Sequence, residues 1–182
     1  MLKLCSLGSL VLAVQVASAQ SGAGASIDPA IFQAVVQSEA AQARGVLLTD
    51  VRPVRAGADL LAIDADDLAP ASDRRRDLLR RMQVQTTDIL ADKACMFARG
   101  VPAPPGHDAL PREVAETRAR CRARPEFTSI AIGEAQGGDA DSVRVAVVRV
   151  TTSRYRVVEY TLGRSGAGYT ITGQRDIFNV AS

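Results

Sequence analysis

From Phe127 to the end of the chain, apolar and polar residues alternate with a period of two. "FTSIAIGEA", "SVRVAVVRVTT", "RYRVVEYTL" and "GYTITGQRDIF" each read as a strand, divided by the turn sequences "QGGDAD", "TTSR" and "GRSGAG". Connections this short join antiparallel neighbours, because a parallel pair needs a crossover of about a dozen residues or more. The last third of the chain is therefore expected to form a four-stranded antiparallel β-meander, and any covering helices must come earlier.

The earlier part carries helix punctuation. Asp28 is a good N-cap, Pro29 a good first helical residue, and Gly45 follows Arg44 as a stop. Between them Ile31, Phe32, Val35 and Val36 form an apolar stripe that faces the core, and Glu39 falls at the same helical spacing. "GVLLTDVRPV" and "ADLLAID", joined through "RAG", suggest a hairpin. Residues 73–83 read as a helix. Residues 84–98 are also read as helix, although Val84 to Thr87 favour a strand. A further helix leads to Cys121, with Leu110, Val114, Thr117 and Cys121 at i, i+4, i+7 and i+11, and Pro125 ends it. The class is α+β: N-terminal helices packed on a C-terminal four-stranded antiparallel meander.

Over roughly residues 72–178, this helix-then-meander order resembles the cone-shaped layouts of the nuclear-transport-factor-2-like and cystatin-like superfamilies. The resemblance is one of layout, and those folds host many unrelated functions, so it implies no functional residue here.

The first 19 residues have the organisation of a secretory signal peptide. Lys3 supplies the basic start, "LGSLVLAVQVA" the apolar core, and "ASA" the small residues before a cut between Ala19 and Gln20. Residues 20–27, "QSGAGASI", read as a flexible leader, and 28–182 as a single domain. Cleavage would remove Lys3 from the 22 basic residues, against 20 acidic ones, leaving a net charge of about +1. Global charge thus gives no pull toward nucleic acid. No later run is long enough for a transmembrane helix. The expected location is secreted or periplasmic.

In an oxidising compartment, Cys95 and Cys121 are an even pair and are expected to form a disulfide. Closing that loop would contribute about 3 kcal/mol in the chain-entropy account.

Several chemistries lack their residues. His107 is the sole histidine and sits beside "PAPPG", so neither a zinc set nor a Ser–His–Asp triad is visible. "GRSGAG" lies between strands with no following lysine, which fits a turn and not a phosphate loop. Asp64, Asp66 and Asp67, and likewise Asp139 and Asp141, read as turn formers. The arginines around 74–81 and 118–124 are interrupted by acids and lack interleaved aromatics, as solvated helix faces do. No cofactor or metal is expected.

The sheet offers the remaining candidates. All three tyrosines, Tyr155, Tyr160 and Tyr169, fall in its last two strands. Arg154, Arg156, Val158, Tyr160 and Leu162 share one face by alternation. A curved sheet could gather Arg154, Arg156 and Tyr160 into a site for a small anionic or amphipathic ligand; otherwise the two arginines fringe the sheet, the reading preferred here. Arg144 shares a face with Val148 and Val150, whereas Arg149 goes with Val145 and Val147, so no single basic stripe is expected. The functional expectation is an exported soluble protein of non-enzymatic binding or envelope-associated type, with a protein or small-molecule ligand. One alternative is a hydrolase or isomerase using carboxylate and tyrosine groups in a sheet pocket. Another is a secreted inhibitor or assembly factor.

Overall fold

A computed structural model describes residues 28–100, 111–122, 126–137 and 141–181. The expected signal peptide and leader, together with His107, Leu110 and Asp139, lie outside the described residues.

The chain runs α1 (Pro29–Gln42), β1 (Val46–Asp50), α2 (Asp73–Arg81), β2 (Gln85–Thr87), α3 (Ile89–Gly100), α4 (Arg112–Arg122), β3 (Phe127–Ile132), β4 (Gln136–Gly137), β5 (Ser142–Thr151), β6 (Arg154–Ser165) and β7 (Gly168–Ala181). The class is α+β, but the sheet is larger than the expected four-stranded antiparallel one. It has seven strands and is mixed, in the order β2-β1-β3-β5-β6-β7, with β4 pairing β5. β5, β6 and β7 follow one another antiparallel, and β3 pairs antiparallel with β5. β1 runs parallel to both β2 and β3. The layout resemblance covered residues 72–178, whereas the sheet also takes in Val46–Asp50.

Two local expectations are corrected. Val46–Asp50 does not pair with Ala58–Asp64 in a hairpin; its partners are β2 and β3. The 58–67 segment is held in turns by its own aspartates. Asp67 accepts from the Asp59 and Asp64 amides at 3.0 and 2.9 Å, and Asp64 accepts from the Asp66 amide at 2.8 Å. Residues 84–98 are not one helix. The β preference of Thr86 and Thr87 prevails, and both pair with β1. Asp88 then accepts the Leu90 amide at 3.0 Å, and α3 begins.

Helices cover both faces of the sheet. On one, Phe32 and Val35 of α1 and Leu79 of α2 pack against Ile130, Val145, Val147, Val158, Tyr160 and Leu162. On the other, Ile89 and Met96 of α3 pack with Val54, Ile63 and Leu68 against Ala131, Val148, Val150, Tyr155 and Val157. Alternate residues of β5 and β6 therefore enter two different cores, which is why their sequences are apolar at both parities.

A buried carboxylate ties β1 to α3. Asp50 accepts from the Ile89 amide at 2.9 Å and from the Arg52 guanidinium at 2.7 Å, and Arg52 also reaches Asp88 at 2.7 Å. The hydrogen bond that Arg52 donates to Asp50 outweighs the effect of burial and holds Arg52 above its ordinary range. Cys95 and Cys121 form the expected disulfide between α3 and α4, with Cα atoms 5.7 Å apart. Arg118 of α4 donates to the Ala98 and Arg99 carbonyls at 2.5 and 3.0 Å, and Arg99 to the Cys121 carbonyl at 2.9 Å. No described helix is long and apolar enough to cross a membrane.

Candidate functional site

The end of α1, the start of β3 and the β5–β6 turn converge around a pocket of about 220 Å³. Backbone stitching fixes its walls. Gly45 sits at a φ of +69°, a conformation glycine adopts without strain, and turns the chain from α1 into β1. A Cβ there would lie 2.0 Å from the Glu126 carbonyl oxygen. Beside it the Thr128 hydroxyl accepts from the Arg44 amide at 3.2 Å and donates to the Arg44 carbonyl at 3.1 Å. Across the pocket, Thr151 Oγ1 accepts from the Ser153 amide at 3.4 Å, shaping the turn that carries Arg154.

Four arginines line this pocket: Arg44, Arg149, Arg154 and Arg156. Their environments differ. Arg149 is 8 % exposed and belongs to the floor with buried Thr128; Arg44, Arg154, Ser153 and Glu126 are exposed and form the rim. The Arg149 guanidinium pairs with Glu39 Oε2 at 2.7 Å and reaches the Tyr160 hydroxyl and Gln42 Oε1 at 3.4 Å each. Tyr160 donates its own proton to Glu39 Oε1 at 2.7 Å. Arg149 Nε, also buried, has no hydrogen-bond partner among the described residues. Arg156 is spoken for: its Nε donates to Asp176 Oδ1 at 2.8 Å, and its Nη2 contacts the same oxygen.

These pairings set the protonation states. Burial works against the charge on Arg149, but Glu39 more than offsets it and holds the guanidinium above its ordinary range. Burial, and then the neighbouring Glu39 carboxylate, push the Tyr160 phenol up. The floor is thus a charged guanidinium, backed in the core by a neutral phenol that is hydrogen-bonded to Glu39.

The three residues singled out from sequence part company. Arg154 and Arg156 line the pocket, Arg154 at its rim. Tyr160 does not; it is fully buried in the core against α1 and supports Arg149 from behind. Arg149 and Arg44 were not singled out. The available signal was Glu39, a carboxylate continuing the apolar stripe of α1. A charge on a core-facing stripe needs a buried partner.

The acidic candidates serve the backbone: Asp64 and Asp67 are taken up by amide donors. Among the described residues, no group of three or more His, Cys, Asp or Glu side chains is placed to hold a metal. Compared with protein-family models, curated proteins and solved structures, the chain finds no match in any of the three.

Proposed function

We propose that this is an exported, non-enzymatic binding protein that holds its ligand by an anionic group in the arginine-lined pocket. One observation carries the reading: Arg149 places a largely buried guanidinium at the pocket floor, beneath the rim cations Arg44 and Arg154. The carboxylate lining the pocket among the described residues is Glu126, at the rim, while Glu39 and Tyr160 are engaged behind Arg149. That arrangement supports binding over the acid–base chemistry of a hydrolase or isomerase. Export rests on the N-terminal sequence, and the Cys95–Cys121 bridge is compatible with it. The likeness to nuclear-transport-factor-2-like and cystatin-like layouts, in the helix-then-meander order of roughly residues 72–178, is kept as part of this proposal.

The test is thermal unfolding of the purified protein at low ionic strength, titrated with acetate, sulfate and phosphate. Stabilisation by at least one anion is expected at millimolar concentration, and Arg154→Ala should lose it while keeping its circular dichroism. Equal stabilisation of Arg154→Ala and the parent, or none by any anion, would refute the proposal.

A further inference from the structure

Resting on the reading that this pocket binds anions, we infer that its ligand presents a carboxylate monoanion and not a phosphate dianion. The observation is the charge balance of the lining. Arg149 is neutralised by Glu39 and Arg156 by Asp176. The Arg44 and Arg154 guanidiniums make no ion pair among the described residues, and neither does the Glu126 carboxylate in the same wall. Two unneutralised cations and one unneutralised anion leave a single positive charge to be answered.

A monoanion closes that balance. A dianion overshoots it and brings its second charge toward Glu126, and like-charge juxtaposition there is unfavourable. Geometry points the same way. A guanidinium offers two parallel N–H donors in a plane, the complement of a carboxylate's two oxygens, and Arg44 and Arg154 both retain that fork. Arg149 forms the floor below them. A pocket of about 220 Å³ takes a small organic acid, or the acidic end of a larger molecule.

The experiment compares acetate with inorganic phosphate at pH 8, where phosphate is mainly dianionic, by isothermal titration at constant low ionic strength. The parent protein should bind acetate at least about tenfold more tightly than phosphate. Arg44→Ala and Arg154→Ala should each weaken acetate. Glu126→Gln is the diagnostic variant: it removes the negative wall, so phosphate binding should rise and the preference should shrink or invert. Phosphate binding equal to or tighter than acetate in the parent overturns the inference and leaves the anion-binding reading standing. Retention of the full acetate preference by Glu126→Gln overturns it too, because the charge balance would then not set selectivity. Absence of binding by either anion removes both readings together.

Discussion

Arg149 of β5 and Arg156 of β6 are direct cross-strand partners on the face of the sheet that α1 covers. Like charges placed so are destabilising unless each has its own anion. Two elements distant in sequence supply them: Glu39 from α1 at 2.7 Å from Arg149, and Asp176 from β7 against Arg156. Each of these two guanidiniums in the pocket lining is thus answered by its own anion.

Removing one of those anions should be costly. Glu39→Gln leaves a buried cation facing Arg156 and should destabilise the protein by about 3 kcal/mol in urea unfolding. Gln still accepts from Tyr160, so the loss reports the charge. The double variant Glu39→Gln with Arg149→Met removes the stranded cation and should recover more than about 1 kcal/mol of that loss. Additive losses in the double variant would contradict the pairing.

Stability should also fall on the alkaline side. The folded protein holds the Tyr160 phenol above its ordinary value of 10.0, so the neutral form is favoured by folding. Such a group contributes stability that is complete below the unfolded value and is lost as pH rises through the folded one. Melting temperature should therefore decline from about pH 10 upward. Tyr160→Phe should show a shallower decline, together with a loss of about 1 kcal/mol at neutral pH from the missing hydrogen bond to Glu39. An unchanged alkaline slope in Tyr160→Phe would exclude Tyr160 as its source.

Reduction of Cys95–Cys121 should act locally before it acts globally. α4 is tied to α3 by the disulfide and by the Arg118 and Arg99 contacts to backbone carbonyls. Without the bridge, hydrogen exchange in 112–122 should accelerate well before exchange in β5 and β6. The overall loss should be about 3 kcal/mol. Uniform acceleration across the whole chain would argue that α4 is integral to the core.

Gly45→Ala probes the hinge that forms one pocket wall. The added Cβ would meet the Glu126 carbonyl oxygen at 2.0 Å with the backbone already at φ +69°. The strand junction has to shift, at a cost of about 2–4 kcal/mol in thermal or urea unfolding. Because Glu126 and Thr128 would shift with it, anion stabilisation should weaken as well. Gly57→Ala serves as the control: that residue is also left-handed, at φ +81°, but nothing lies within 4 Å of its Cβ position. Its effect should be confined to about 1 kcal/mol of backbone strain.

The sequence by itself determined what depends on neighbours along the chain. Period-two alternation with short turns placed β5, β6 and β7. Asp28, Pro29 and Gly45 bounded α1, and the two cysteines named their own partners. It also assigned Arg149 to the parity of Val145 and Val147, and Arg154 and Arg156 to that of Tyr160. What alternation cannot supply is register between strands, because a slip by two residues preserves every face assignment while changing every partner. That Arg149 meets Arg156, that Tyr160 sits behind the pocket instead of inside it, and that Val46–Asp50 joins β2 and β3 in parallel were decided only when the sheet assembled. The charges followed the same rule. Glu39, the partner of Arg149, lies 110 positions earlier in the chain, and only the packing of α1 across the sheet brings the two within 2.7 Å.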